Sequence, residues 1–477
     1  MSSIKFLLKN IGLLTISQFS SKILSFLLVP LYTSVLSTEE YGIYGIYSTT
    51  ISLLVPILTL NLSEAALRFS LDKKYEKNKI FSFCLKYILV GTTIICCFTI
   101  VNSIFNIVPM LVQFSVYFVL MFITTAMNCL IMAFARGIEK INALAISGFI
   151  GTVGVLFFNI FFLLTLHQGL KGYFLANILG TTVQMLCLTV ALQLWKYITL
   201  KRDNNEYKRE MIHYSMPLVG NSVSWWINDA SDRYIVTWMC GVEQNGIYSV
   251  GYKIPSILNV FQSIFSQAWT LSAVKEYESD NKETFFSKTY TIYSFFMTSA
   301  CLVLIIFDKQ IASILYAKEF FEAWKYVPPL LIATLFGALS GHIGGIFAAV
   351  KDTKAYATTT IVGAVCNIVL NLLFIRGIGV MGAAIATLAA NIVVWMLRYI
   401  KARQYIKMDI YLSGCTISYL LLGVQSMILY ITDKVDMIWG SGIIIFLLIM
   451  LVYRKEIIIC KKMIDVALEK VKKNSVR

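Results

Sequence analysis

Charged side chains are scarce in this sequence. Of its 477 residues, 14% are Asp, Glu, Lys or Arg and 58% are hydrophobic, whereas about a quarter of the residues in a soluble protein are charged. A water-soluble core could not hide so much apolar surface. The composition therefore excludes a soluble globular protein and predicts an all-α polytopic membrane protein.

Motifs for metal, nucleotide and covalent chemistry are also missing. The three His are far apart and the ten Cys form no C-x-x-C pair, so no metal site is predicted. There is no Walker P-loop for ATP. Gly377, Gly379 and Gly382 form a G-x-G-x-x-G pattern, but it joins two apolar segments rather than a strand and a helix, which indicates a tight turn. The sequence thus predicts neither an enzyme nor a cofactor.

Long apolar runs fill most of the chain. A membrane-spanning helix needs about 20 mostly apolar residues. On that rule the predicted spans are 10–36, 41–68, 81–104, 110–135, 143–167, 172–196, 211–238, 246–273, 285–307, 326–350, 356–376, 380–400, 411–431 and 438–453. About fourteen helices are therefore predicted, and twelve or thirteen remain open because the last run is short.

Basic residues outnumber acidic ones, 41 to 26, which gives a formal charge of +15. They lie in short runs between the apolar segments, and no nucleic-acid-binding motif accompanies them, so no nucleic-acid partner is predicted. The basic runs alternate with loops poorer in Lys and Arg, a pattern that places both termini in the cytoplasm. The basic tail from 454 to 477 is interpreted as an amphipathic helix on the membrane or as a solvated tail.

Two stretches of the chain repeat each other. YGIYGIYSTTISLL from Tyr41 resembles NGIYSVGYKIPSIL from Asn245, and glycines and an asparagine between 151 and 172 recur between 363 and 382. Six helices separate the copies, so both have the same orientation, as in transporters built from two parallel bundles. The predicted organisation is a six-helix bundle at 1–205, a second at 206–408, two extra helices at 409–453 and the tail at 454–477.

Polar side chains in the first bundle form two groups. Gln18 and Lys22 lie one turn apart on the first predicted helix, and Lys22 is deep enough to favour an interior or cavity position. It is interpreted either as a ligand or proton-relay contact or as the partner of an acid. Glu64 and Arg68 lie at i and i+4. They predict either an ion pair within the helix or an arginine that meets an anionic headgroup.

The seventh predicted helix is unusually polar. One of its faces is predicted to carry Asn221, Trp225, Asn228, Asp229 and Asp232. Asp229 can pair with Arg233 at i, i+4, and Asp232 is left to pair with Lys253 on the next helix. Ionisable groups inside apolar segments usually face a protein interior or a wet cavity. This cluster is interpreted as a network that joins the two helices, as a site that exchanges charges with a substrate anion, or as both.

The segment NDASDRYIVTWMCGVEQNGIYSVGYKI, together with STEEYGIYGIYSTTISLL and ARGIEKINALA, resembles bacterial polysaccharide flippases of the Wzx type in the MOP (MATE-like) transporter superfamily. Positions that match the family pattern are Asp232, Arg233, Gly246, Tyr248, Ser249 and Lys253. The likeness extends over essentially the whole chain. It implies two six-helix bundles around a central cavity.

The resemblance also implies a function. The expected substrate is an undecaprenyl-diphosphate-linked oligosaccharide, flipped from the inner to the outer leaflet of the bacterial plasma membrane for surface polysaccharide synthesis. Lys22, Arg68, Arg233 and Lys253 are the candidate contacts to the diphosphate, and Gln18, Asn221 and Trp225 are candidate contacts to the rest of the substrate. Glu64, Asp229 and Asp232 form the expected charge network. Association with polysaccharide polymerase machinery is a further expectation.

Alternatives stay open at this point. A small-molecule antiporter of the same superfamily is disfavoured because its cavity for cationic drugs should be rich in acids, and the charges here are mixed. A peptidoglycan-precursor flippase is harder to distinguish from a polysaccharide flippase. Coupling to Na⁺, H⁺ or the membrane potential is expected, and no residue decides among them.

Overall fold

The computed structural model describes residues 26–72, 74–199, 206–350, 352–407 and 412–454. Within these ranges the chain is helical and has no strand. The α-helices, numbered in chain order, are α1 (Val29–Val35), α2 (Thr38–Leu58), α3 (Leu62–Ser70), α4 (Lys77–Phe105), α5 (Pro109–Val112), α6 (Ser115–Gly137), α7 (Ile141–Asn159), α8 (Gly169–Leu192), α9 (Glu206–Cys240), α10 (Val242–Gly251), α11 (Pro255–Glu276), α12 (Lys282–Ile306), α13 (Asp308–Leu315), α14 (Val327–Ala349), α15 (Thr353–Ile378), α16 (Val380–Ala402), α17 (Leu412–Ile431) and α18 (Val435–Val452).

Eleven helical segments in these ranges are long and apolar enough to cross a membrane. A π-helical stretch (Ile160–Thr165) extends α7, and a 3₁₀ stretch (Lys318–Tyr326) leads into α14. Helices α9 and α11, with 35 and 22 residues, are long enough to span but lie outside this set. Most of the first predicted span, 10–36, lies outside the described residues. The predicted class, an all-α polytopic membrane protein, is confirmed.

The predicted spans 41–68 and 246–273 are each broken into two helices. The run 41–68 divides between α2 and α3 at Leu60 and Asn61, whose φ angles are both 51°. An asparagine adopts this left-handed conformation at a lower cost than most residues. The run 246–273 divides at Pro255, the first residue of α11, where a proline needs no N–H partner. The segment 308–325, which lies between two predicted spans, is largely helical.

The chain folds into two compact units. The first contains the described residues up to Ser249 together with Leu315–Phe320, and the second contains Val250–Ile314 and the described residues from Phe321 onward. Large aromatic side chains such as Phe122 and Phe134 fill the core of the first unit. In the second unit Phe286, Tyr290 and Phe347 are fully buried. The sequence-based boundaries at 205, 408 and 453 stay predictions.

Glycines set how closely α10 approaches α2 in the first unit. A Cβ atom on Gly246 would lie 1.9 Å from the carbonyl oxygen of Thr38, and one on Gly42 would lie 2.2 Å from that of Val242. No side chain fits at such distances, because backbone atoms cannot move aside cheaply. The two glycines therefore fix the position of α10, which carries Tyr248.

Candidate functional site

Helix α9 runs beside α2 and α3 in the first unit, and polar contacts join it to both. Asn61 donates from Nδ2 to the Ser222 hydroxyl at 3.2 Å. Trp226 donates from Nε1 to the carbonyl oxygen of Thr49 at 2.9 Å. The hydroxyls of Tyr234 and Thr50 also bond to each other. Buried polar groups on a membrane helix need such partners, so these contacts fix the orientation of α9.

Asp232 lies at the centre of this arrangement and is only 2% exposed. Its Oδ2 accepts a hydrogen bond from the Tyr248 hydroxyl at 2.7 Å, and its Oδ1 accepts from the backbone N–H of Arg233 at 2.8 Å. Hydrogen bonds to the ionised form stabilise a buried carboxylate. Both oxygens of this carboxylate therefore have protein donors.

Arg233 is half-buried on the same turn of α9. Its Nη1 donates to the Thr49 hydroxyl at 3.4 Å, a distance at the long limit for a hydrogen bond. Two side chains of α9 thus contact Thr49, Arg233 at its hydroxyl and Trp226 at its carbonyl oxygen. A guanidinium carries five N–H donors in a planar fork that matches carboxylate and phosphate oxygens. Arg233 is the residue here whose chemistry best suits an anionic ligand.

The other predicted residues have different outcomes. Asn221 and Trp225 lie on α9, and both are exposed, Trp225 by 41%. The side chain of Asp229 lies outside the described residues, as do Gln18 and Lys22. Lys253 is half-buried and belongs to the second unit, so its predicted pairing with Asp232 of the first unit stays a prediction.

Glu64 and Arg68 do not form the ion pair offered as one reading of their spacing. Both lie on α3, Glu64 in its first turn and Arg68 in its last, but no ion pair within 4.0 Å joins them among the described residues. Arg68 is exposed, where solvation competes with pairing. Each charge also lies at the end of the helix that favours its sign.

Sequence reasoning missed Arg398 on α16, which is 3% exposed. Its guanidinium donates to the hydroxyls of Thr359 and Thr360 at 3.2 and 2.9 Å and to the carbonyl oxygen of Ser340 at 3.1 Å. It also lies over the ring of Tyr356, 4.0 Å from the centroid. In the sequence, the position of Arg398 near the end of the predicted span 380–400 suggests a side chain that reaches the membrane surface. The signal that could have indicated a buried site was a charged residue inside a predicted span.

The described ranges hold no group of three or more His, Cys, Asp or Glu side chains that could bind a metal ion. The site built around Asp232 and Arg233 instead combines one carboxylate, one guanidinium and several hydroxyls, which are groups that bind by charge and hydrogen bonding.

Solved structures define the class of this fold. The chain is similar to the lipid II flippase MurJ in an inward closed conformation, with a TM-score of 0.67, 15% identity and coverage of 93% of this chain and 99% of that one. It is also similar to an inward-facing multidrug resistance MATE family transporter, with a TM-score of 0.68, 15% identity and coverage of 82% and 98%. The chain has the fold that these two structures share.

The family follows from a sequence model. The model described as polysaccharide biosynthesis protein matches residues 7–270, which is more than half of the chain and includes Asp232, Arg233 and Tyr248. The protein belongs to this family, and the resemblance noted from the sequence is confirmed. A second model, described as MatE, matches residues 217–373.

Two curated relatives match about half of the chain. A probable low-salt glycan biosynthesis flippase, Agl15 of Haloferax volcanii, is 24% identical over 243 residues, covering 49% of this chain and 51% of that protein. An uncharacterized membrane protein of Methanocaldococcus jannaschii is 23% identical over 256 residues, covering 50% and 59%. The chain spans little more than half the length of these relatives.

Proposed function

We propose that this protein is a flippase that moves a polyprenyl-diphosphate-linked oligosaccharide across the plasma membrane of a bacterium by alternating access, for surface polysaccharide synthesis. The observation that carries the proposal is Arg233, a half-buried arginine of α9 inside the segment that the polysaccharide biosynthesis model matches. The similarity to the Haloferax volcanii relative, a probable low-salt glycan biosynthesis flippase, supports the same substrate class.

The chemistry of the substrate explains why an arginine is needed. A diphosphate must leave water to cross the membrane, and its charge is compensated only by donors that the protein supplies. A guanidinium binds phosphate oxygens through two parallel hydrogen bonds. In a site of low dielectric these bonds are stronger than in water. Arg68, exposed at the end of α3, is proposed to meet the headgroup before Arg233 does.

Asp232 has a separate part in this proposal. Its oxygens accept from Tyr248 and from a backbone N–H, and its charge lies next to Arg233. We infer that the Asp232 carboxylate compensates the charge of Arg233 while no substrate is bound. Lys22 and Lys253 are proposed as further contacts to the diphosphate. Both termini are proposed to lie in the cytoplasm, and Na⁺, H⁺ or the membrane potential is proposed to drive the cycle.

Expression in a strain that lacks its own surface-glycan flippase tests the proposal. The native chain should restore surface glycan, and Arg233→Ala should lower it at least about tenfold, because a charge-assisted bidentate contact is lost. Arg233→Lys should retain part of the activity. Arg209→Ala is the matched control, since Arg209 is exposed on the same helix. Normal surface glycan in Arg233→Ala, at equal membrane levels, contradicts the diphosphate role.

The MatE match over residues 217–373 favours a second candidate function, a cation-coupled antiporter for small molecules. The same strains separate the two. An antiporter should raise resistance to cationic dyes and leave surface glycan absent. A peptidoglycan-precursor flippase should instead support growth when the essential precursor flippase of the host is depleted.

A further inference from the structure

Asp308 is a buried acid in the second unit that the proposed transport site does not use. It is the first residue of α13 and is 0% exposed. Neither of its carboxylate oxygens has a hydrogen-bond partner among the described residues. Most buried polar atoms in folded proteins have such a partner. A buried carboxylate without donors is stable only in its neutral, protonated form.

One cation, Lys309, acts on the Asp308 carboxyl group. Lys309, the next residue, binds the exposed Asp433 instead, with 2.7 Å between Nζ and Oδ1. The same ammonium donates to the carbonyl oxygen of Thr432 at 3.2 Å and lies 4.3 Å from the ring centroid of Trp324. Lys309 is thus held by three groups, none of which is the Asp308 carboxylate.

Three other titratable groups, Tyr430, Lys325 and Glu322, bind partners other than Asp308. Tyr430 of α17 and Asp308 interact electrostatically. The Tyr430 hydroxyl, however, donates its hydrogen bond to the carbonyl oxygen of Lys325 at 2.5 Å. Lys325 pairs with Glu322 on the 3₁₀ stretch. Burial raises the pKa of Asp308 well above its usual range, against a smaller opposing effect of Lys309. The hydrogen bond and charge of Lys309 lower the pKa of Asp433.

We propose that Asp308 is a proton-binding site, and that its proton keeps Lys309 paired with Asp433. When the O–H bond of the carboxyl breaks, the proton passes to water and the electron pair stays on the buried carboxylate. That charge then competes with Asp433 for Lys309, the nearest cation. Because Lys309 anchors the turn between α17 and α18 through Thr432 and Asp433, loss of the proton loosens this turn.

The variant Asp308→Asn tests the proton directly, since an amide has the shape of the protonated acid. A group whose pKa is raised in the folded state stabilises the fold at low pH and loses this effect as pH rises through the folded pKa. The unfolding temperature of the purified native protein in detergent should therefore fall relative to that of Asp308→Asn between about pH 5 and pH 9. Parallel curves over this range would overturn the proposal.

The role of Lys309 has its own test. The variant Asp433→Asn frees Lys309 to pair with Asp308. The unfolding temperature of this variant should therefore fall at a lower pH than that of the native protein. Glu322→Gln is the matched control, because it removes the neighbouring ion pair with Lys325 and should leave that pH unchanged. Trp324 gives a second signal. A pH-dependent fluorescence change should be present in the native protein and absent in both Asp308→Asn and Trp324→Phe. An unchanged midpoint in Asp433→Asn would refute the competition for Lys309.

Discussion

Two aspartates, one in each unit, are buried to nearly the same degree but satisfied in different ways. Asp232 has a protein donor on each oxygen, from Tyr248 and from the backbone of Arg233. Asp308 has none among the described residues. Both oxygens of Asp232 thus have protein donors, whereas the unpartnered carboxyl group of Asp308 is stabilised in its neutral form. Burial alone therefore does not determine the environment of an acid in this protein.

The difference follows from the helices that surround each group. Asp232 lies in the interior of α9, where α10 brings a tyrosine hydroxyl to it through the close contact of Gly246 with Thr38. Asp308 begins a helix of eight residues, and the neighbouring cation is bound to Asp433. In the proposed function, the Asp232 carboxylate balances the charge of Arg233 while no anion is bound. A neutral acid at the end of a unit suits a response to pH.

The strongest way to break this comparison is to displace α10. In Gly246→Ala the added methyl group would lie 1.9 Å from the Thr38 carbonyl oxygen, so the helix must move and take Tyr248 away from Asp232. We expect a loss of about 3 kcal/mol or more in the free energy of unfolding in detergent. Gly220→Ala on α9 is the control, because nothing lies within 4 Å of its Cβ position. Equal stability of the two variants would contradict the close contact.

The sequence predicted most of the fold and part of the site. Long apolar runs locate helices reliably, because a bilayer requires about 20 apolar residues for each span. Asn61 and Pro255 carried the local signals for the two helix breaks. The charges of α9 were recognised for the same reason, as ionisable groups in an apolar run.

The partners of these charges could not be predicted from one sequence. Tyr248 was noted only as part of a family pattern, and its bond to Asp232 depends on how α10 packs. Asp308 was placed in a loop, since a short helix of eight residues leaves little periodic signal. Arg398 was not singled out, because its burial depends on the helices that pack around it. In each case tertiary packing decides the environment, and packing is not encoded locally.

A milder change removes one donor and leaves the helices in place. In Tyr248→Phe, Oδ2 of Asp232 loses its hydrogen bond while the ring stays buried. We expect unfolding to cost about 1.5–3 kcal/mol less than in the native protein, because a charged acceptor loses a donor. Tyr293→Phe is the matched control, a buried tyrosine of the second unit with no hydroxyl hydrogen bond to a described residue. If both variants lose the same stability, the tyrosine hydroxyl does not support Asp232.

The smallest expected effect concerns the contact between Arg233 and Thr49. In Thr49→Val the guanidinium loses a hydroxyl acceptor 3.4 Å away, while the bond of Trp226 to the carbonyl oxygen of residue 49 stays. A bond of this length contributes at most about 0.5–1 kcal/mol to unfolding. Thr49→Ser keeps the hydroxyl and should behave as the native protein. If Thr49→Val instead lost as much stability as Tyr248→Phe, Arg233 would be as firmly held as Asp232. The interpretation that Asp232 is held more firmly than Arg233 would then be wrong.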